Sequence, residues 1–456
     1  MIRLPYVRRI CLLCLAALCA LAAASADDPY EHPYPAALQI RVETETRPTA
    51  RFGDVPVDLP VTGLESVNQS LRAASDSLFE AMQACEGTRI DMLATYRVSG
   101  TKWAGFLLTA RAVTVAKGEN EAITVEATDA MAYSVQTYDM ETGSTLTLAD
   151  VFDSQSAAWA WIEAAARELL YSYYPDEPRD ETALEAMVTA DALRESAFLP
   201  CAGQLLVPFP LEVILPDHPQ IAYLRLPYPD TRQWMRPVAV LQTDNSSRPM
   251  IALTMDDGPT RVITEQILTG LARYGASATF FCVGNSVIRQ PDLVRREMDF
   301  GLSVAAHSMT HKSPWEQSLE DMRAEVDTQK ELYRAVTGLP VSLLRPPGGD
   351  LKTYVVRQIG WPLIRWTKSL SDTGEGNYND LAWRVEHKAE HGDIFLMHDV
   401  KPQTAQAIPV FLKALQERGF MFATVEELLY LNGVTPQPNV AYYDALGAKT
   451  YPKAGE

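Results

Sequence analysis

The chain has 456 residues, 47% of them hydrophobic and 21% charged, the balance of a folded globular protein rather than a disordered one. It carries 40 basic against 58 acidic residues, a formal charge of −18, and no basic run, which speaks against a nucleic-acid partner. Only one apolar stretch is longer than a strand, so the pattern also excludes a polytopic membrane protein.

That stretch opens the chain. Arg3, Arg8 and Arg9 precede the Leu/Ala-rich run Ile10 to Ala24, and Ala24-Ser25-Ala26 closes it with small residues. The order reads as a signal peptide over residues 1–26 and predicts an exported protein, extracellular or associated with the cell envelope. The alternative is an uncleaved membrane anchor, but the run is about 15 residues where a spanning helix needs roughly 20. Cys11, Cys14 and Cys19 belong to this leader. Cys85 and Cys201 flank loop sequence and form the candidate disulfide pair of an exported protein, whereas Cys282 lies in the apolar run 278–283 and reads as a buried small hydrophobe.

After a polar lead-in over residues 27–36, Leu38 to Glu45 alternates as a half-buried strand. Leu64 to Met82 has helical spacing at Val67, Leu71, Leu78, Phe79 and Met82. Strand-like runs follow at Arg97–Gly100, Gly105–Thr109, Ile123–Ala127 and Ala132–Asp139, then a second helix at Ser156–Tyr174 and strands at Gln204–Leu215 and Ile221–Leu226. Residues 27–245 therefore read as an α+β accessory domain with a largely antiparallel sheet. The turn-rich joint Asp244 to Pro249 ends it. Over residues 246–433 apolar strands alternate with helices: Ile251–Met255, Thr264–Tyr274, Ala278–Val283, Pro291–Phe300, Ser303–Ala306, Leu319–Thr337, Leu343–Leu344, Leu363–Trp366 and Ile394–Met397. Such alternation predicts α/β units around a parallel sheet, and roughly 190 residues is short for an eight-fold barrel. Residues 434–456 are Pro/Gly-punctuated and read as a loose tail.

Five elements of the second half carry chemistry. Asp256-Asp257-Gly258-Pro259 places two carboxylates at the end of a predicted parallel strand, where active sites of βα folds are built. His307 and His311 stand four apart, a spacing that brings two ligands to one face of a helical turn. With one carboxylate they would make a two-His, one-carboxylate metal site with open positions. Arg345-Pro346-Pro347-Gly348-Gly349 is a rigid turn that lets a substrate approach backbone. Trp366 to Asp372 and Phe395 to Asp399 add an aromatic, a carboxylate and a histidine, each after a predicted strand.

In this order the elements resemble the motif set of the polysaccharide deacetylase family, also called the NodB-homology or carbohydrate esterase family 4 domain. Ile251–Pro259 is similar to its T-F-D-D-G-P strand, with Met255 at the Phe position; Ala278–Phe281 is similar to its A-T-F-F strand and Gly419–Leu429 to its closing strand and helix. The resemblance covers about residues 249–431 and implies a distorted, incomplete (β/α) barrel. It also implies roles. Asp257, His307 and His311 would hold one divalent transition metal, Zn²⁺, with Co²⁺ or another divalent ion as alternatives. Asp256 would be the general base, held ionised by Arg345, and His398 the general acid, with Asp372 raising its pKa. Gly348 would offer a backbone N–H to the oxyanion, and Trp366 and Leu396 would line the substrate. The implied activity is removal of N-acetyl groups from amino sugars, in peptidoglycan most of all, on N-acetylglucosamine or N-acetylmuramic acid. A chitin-oligomer deacetylase, a xylan-type O-acetyl esterase and a degenerate wall-binding or sensing protein are the alternatives.

Departures bear on the substrate. Gly348 replaces the aromatic of the third motif, Thr373 stands where the fourth usually has Trp, and Ser369 replaces an Asp, so the cleft is expected to be more open. Tyr138 to Phe152 resembles the Y-D-x-x-T-G-x-x-x-x-L-x-D-x-F signature of a domain of unknown function. That domain precedes deacetylase domains and occurs in lysozyme-sensing anti-sigma factors. The resemblance implies a wall or protein ligand for the first half, and lone His32 and His218 carry no constellation there.

Overall fold

The computed structural model describes residues 39–117, 123–154, 156–349, 352–374, 376–447 and 450–451. The leader, the lead-in over 27–36 and His32 lie outside the described residues.

The first half is built on two sheets. The larger runs in chain order: β1 (Arg41–Thr49), β2 (Gly53–Val61), β3 (Arg89–Ser99), β4 (Trp103–Lys117), β5 (Ile123–Asp139) and β6 (Ser144–Thr145). Its pairs are antiparallel except β2 with β3, which meet in parallel at Val57 and Met92. The amphipathic helix α1 (Glu65–Gln83) covers one face with the apolar residues its spacing predicts, Val67, Leu71, Leu78, Phe79 and Met82. The short runs expected between residues 97 and 139 fall on three long strands, β3, β4 and β5, with register shifts between β4 and β5 at Ala112/Val113 and Thr114/Val115. Helix α2 (Ser156–Ser172) and a small sheet of β7 (Leu199–Pro200), β8 (Gln204–Pro210) and β9 (Ile221–Pro227) complete this half. The 138–152 signature is a folding element: Gly143 turns at φ 76°, Thr147 and Asp150 form a capping box, and Leu148, Val151 and Phe152 are fully buried.

The second half alternates strand and helix: β10 (Met250–Asp256), α3 (Arg261–Arg273), β11 (Thr279–Cys282), α4 (Pro291–Asp299), β12 (Ser303–Ala306), α5 (Leu319–Thr337), β13 (Leu363–Ile364), β14 (Lys368–Ser369), α6 (Tyr378–Lys388), β15 (Ile394–His398), α7 (Pro402–Glu417), β16 (Met421–Ala423) and α8 (Val425–Leu431). The parallel path runs β14-β15-β10-β11-β12 and continues through single bridges from Ala306 to Leu344 and from Leu344 to Leu363. Among the described residues no ladder joins β13 to β14, the two ends of this path. The sheet is therefore a curled, incomplete barrel. Strands such as β10 and β11 are buried at every residue, as expected where both faces are covered.

Two expectations are corrected here. Cys85 and Cys201 are not paired: both are free thiols. Cys85 ends the helical segment after α1 and bonds its own turn at Ala81, whereas Cys201 is buried between the halves, where burial pushes its thiol up to about 12. The tail is also not loose over its described part. β17 (Ala441–Tyr442) pairs in parallel with β13 and antiparallel with β18 (Thr450–Tyr451), and Ala441, Tyr442 and Ala445 are buried. Short apolar residues there extend the barrel edge that the turn-rich composition concealed.

The halves share one core. Leu107, Met131, Leu199, Leu206 and Tyr223 belong to the same apolar cluster as Ile251, Phe280 and Phe300. Buried polar contacts cross between them: Arg97 donates to the Phe300 carbonyl at 3.0 Å, and the Tyr223 hydroxyl donates to the Asp299 carbonyl at 2.6 Å. The accessory half is packed onto the barrel rather than tethered to it.

Candidate active site

Parallel strands end on one side of a barrel, and that is where the candidate residues collect. Asp256 ends β10, His398 ends β15, and Met255 and Asp256 pair directly with Met397 and His398. His307 follows β12, Arg345 follows the bridge at Leu344, and Asp372 follows β14 by three residues.

Arg345 is the buried hub. It is fully buried, with Nη1 donating to Asp256 Oδ1 at 2.7 Å and to Thr254 Oγ1 at 2.6 Å. Nη2 and Nε donate to the carbonyls of Arg365 and Ile364, and the ring of Phe281 lies 4.1 Å from the guanidinium carbon. The guanidinium thus links β10 to the end of β13 and the residue after it. Burial lowers its pKa and Asp256 opposes that shift.

Asp257, His307 and His311 converge, with their ligand atoms all within 4.8 Å of one another. The helical turn expected for 307–311 does not exist. Ser308 and His311 take left-handed φ of 60° and 58°, and Asp257 takes 79°. A looped backbone, held where Ser308 Oγ accepts from the His311 N–H, does what a helix face was expected to do. Left-handed non-glycine residues gathered at one place are stored strain of the kind seen at functional sites. Gly258 is required beside them, since a Cβ there would collide with the buried Asp399 carboxylate.

The donor set fits a divalent cation. His307 Nδ1 lies 2.6 Å from the Arg345 carbonyl, which only accepts, so Nδ1 carries the proton and Nε2 presents a lone pair. That lone pair faces Asp257 Oδ1 at 3.4 Å, and His311 Nε2 faces the same oxygen at 3.0 Å. Asp257 Oδ1 is buried and receives no hydrogen bond. A divalent cation seated among the three would satisfy this carboxylate oxygen and the two imidazole nitrogens that face it. Burial pushes the Asp257 carboxyl up, but the two imidazoles outweigh it and hold it well below the ordinary range; His311 is raised in turn, by Asp257 first.

His398 Nδ1 lies 2.8 Å from Asp372 Oδ1, while Asp372 Oδ2 accepts from the His398 backbone N–H and from Thr404 Oγ1. Burial alone would lower the imidazole, but the Asp372 carboxylate reverses this and its pKa is raised. Asp372 is pushed up by burial and held down, net, by His398.

The three expected substrate contacts differ in exposure. Gly348 turns at φ 68° with open space where a side chain would stand. Trp366 is half-buried, its ring against Gly349 and near the guanidinia of Arg345 and Arg365. Leu396 shares its strand face with His398 but is only 7% exposed, beneath the histidine.

Sequence reasoning missed three supports. Thr254 stands two residues before Asp256 on the same strand face, a buried hydroxyl within an apolar run, and that placement was its signal. Thr404 on α7 had none. Asp399, next to His398 and fully buried, accepts from Thr264 Oγ1 at 2.6 Å and walls in the Gly258 turn; burial raises it to about 7.

Comparison with known proteins bears on the family. A family profile described as polysaccharide deacetylase matches residues 243–361. The chain is similar to the peptidoglycan-N-acetylglucosamine deacetylase PgdA of Listeria monocytogenes, 37% identical over 39% of this chain and 38% of that protein. It therefore spans well under half the length of that relative. It is also similar to a peptidoglycan-N-acetylglucosamine deacetylase of Bacillus cereus, 32% identical over 40% of this chain and 88% of that protein. Among solved structures, peptidoglycan deacetylase PdaC from Bacillus subtilis aligns at 28% identity over 41% of this chain and 94% of that one, with a TM-score of 0.40. By the extent to which it covers the Bacillus cereus enzyme, this chain belongs to the polysaccharide deacetylase family, hydrolases that act on the N-acetyl amide bond of sugars.

Proposed function

We propose that the protein is an exported, metal-dependent deacetylase that removes the N-acetyl group from amino sugars of peptidoglycan. The observation that carries this reading is the convergence of an Arg-held carboxylate, a carboxylate-held histidine and the Asp257–His307–His311 set on one end of one barrel.

Asp257, His307 and His311 would hold the ion, and two histidines with one carboxylate suit Zn²⁺ with open positions. When bound, the ion supplies Lewis acidity to the amide carbonyl and to the attacking water. Asp256 Oδ1 is committed to Arg345, which leaves Oδ2, 3.8 Å from His307 Nε2, to take the proton of that water. The Gly348 N–H is read as a donor to the oxyanion as the carbonyl becomes tetrahedral. His398, its Nδ1 fixed by Asp372, gives a proton through Nε2 to the departing sugar amine. Acetate and a free amine result.

Open space at Gly348 supports a sugar carrying a bulky substituent, such as a lactyl ether with its peptide. The relatives named for peptidoglycan substrates support the polymer. Rigid attachment through the shared core supports an accessory half that seats the barrel on the wall.

Acetate release from purified peptidoglycan and from chitin oligomers, with Zn²⁺ or with chelator and with Asp256→Asn as blank, tests the reading. Chelator-sensitive release from peptidoglycan is expected. A protein that binds one divalent ion yet releases no acetate from either polymer would overturn it.

A further inference from the structure

The third motif lacks an aromatic at Gly348, yet an aromatic the mechanism does not use stands in the loop that follows His311. Trp315 sits four residues after His311, in the short 3₁₀ turn Pro314–Glu316, and is 58% exposed. A tryptophan left this open in a folded protein loses most of the burial that its size would give. Its position is nevertheless defined. Ser313 Oγ accepts from the Trp315 N–H, and Lys352 Nζ lies 5.5 Å from the ring centroid. Lys352 stands four residues after Gly348, so this pair bridges the loop that bears His311 and the loop that bears Gly348. The same two loops also meet at a small hollow, which Lys312, Pro314 and Gln317 line together with Pro346 and Pro347.

We propose that Trp315 is the sugar-stacking platform of the cleft, receiving the residue of the glycan strand next to the one that is deacetylated. The Lys352 ammonium lies over the ring, and more than half of the residue is open to solvent. A pyranose presents a flat face of C–H groups, which suits an electron-rich ring already held in place. The platform stands away from the reacting atoms, so it acts on binding and on chain length rather than on the chemical step. The inference rests on the proposed glycan substrate and deepens it: it makes the enzyme a reader of strands rather than of single sugars.

The test compares a disaccharide with a hexasaccharide of alternating N-acetylglucosamine and N-acetylmuramic acid, on the Zn²⁺-loaded full mature chain. In Trp315→Ala the hexasaccharide-to-disaccharide ratio of kcat/KM should fall about tenfold, the size of one aromatic contact of ~1.4 kcal/mol, with the loss in KM. Trp315→Phe should recover most of it. An unchanged ratio overturns the platform while leaving the deacetylase reading intact. A second arm does not depend on turnover. In an Asp256→Asn background, calorimetry should show the hexasaccharide Kd rising by about the same factor on adding Trp315→Ala. Equal Kd values overturn the platform whatever the activity shows, whereas a wild type that releases no acetate overturns the deacetylase reading alone.

Discussion

At the floor of the cleft Arg345 is fully buried and makes four hydrogen bonds, whereas at its rim Trp315 is 58% exposed and the His311 side chain 45%. The floor places Asp256, His398 and Asp372 by hydrogen bonds from neighbouring strands, so that a displaced proton always has the same geometry. The rim places its groups by loop backbone, at Ser308, His311 and Gly348, where left-handed residues turn the chain toward solvent. In the proposed mechanism the groups assigned to proton transfer are immobilised, and those assigned to the polymer are left reachable. The two regions should therefore fail differently when broken.

The largest effects belong to the junction of floor and rim. Asp256→Asn and His307→Ala should each lower acetate release by about 10³-fold or more, since one removes the base and the other a donor that no neighbour replaces. His307→Ala should also lose a stoichiometric divalent ion by elemental analysis, and Asp256→Asn should keep it. Equal metal loss in both would mean that the two carboxylates are not divided between base and ligand.

Arg345→Met tests the floor as structure. It leaves Asp256 buried without its cation, a loss of about 3–5 kcal/mol, read as a lower Tm. Adding Asp256→Asn should restore part of it, because the pair is coupled and the two losses do not add. A simple sum would mean that Arg345 serves the carbonyls of Ile364 and Arg365 more than it serves Asp256.

Asp372→Asn tests the floor as an acid. The Asp372 carboxylate raises His398, and the protonated imidazole is the active form, so activity is lost as pH rises through the His398 pKa. Without that carboxylate the basic limb of the kcat profile should move to lower pH, and a limb that stays in place would remove His398 from the role of acid.

The floor was more legible in the sequence than the rim. Asp256, Asp257, Arg345 and His398 each follow an apolar strand, which made them candidates, and the resemblance to the deacetylase motif set joined them into one site. What was not legible depended on backbone that residue spacing does not encode. His307 and His311 were expected on a helical turn because four residues make one, but Ser308 and His311 adopt left-handed φ instead. The Cys85–Cys201 pairing failed because compartment chemistry says that a disulfide is allowed and says nothing of where two thiols stand. The edge strand Ala441–Tyr442 was hidden because two residues show no alternation, and its partner Leu363–Ile364 is equally short. Trp315 was passed over since nothing in its neighbourhood marks an exposed aromatic until Lys352 is brought to it.

The smallest predicted effect asks what burial does when no cation is at contact distance. Asp299, at the end of α4, is buried between the halves, where its Oδ1 accepts from the Ile221 N–H at 2.9 Å. Burial raises it to about 7, against which the Ile221 N–H and the more distant Arg111, Arg295 and Arg296 pull only in part. Asp372 is buried as well and Asp257 half-buried, yet imidazoles at contact distance hold both below the ordinary range. Because the folded pKa of Asp299 exceeds the unfolded one, the folded state holds more protons between the two values, and its stability contribution is lost as pH climbs through about 7. Asp299→Asn keeps an oxygen for the Ile221 N–H and removes the charge. It should raise Tm by about 2–4 °C near pH 8.5, with a smaller change near pH 5, where Asp299 is already neutral. An equal change at both pH values would mean that Asp299 matters by shape alone. A lower Tm confined to the alkaline side would mean that the three arginines hold it ionised, as the floor holds its own carboxylates.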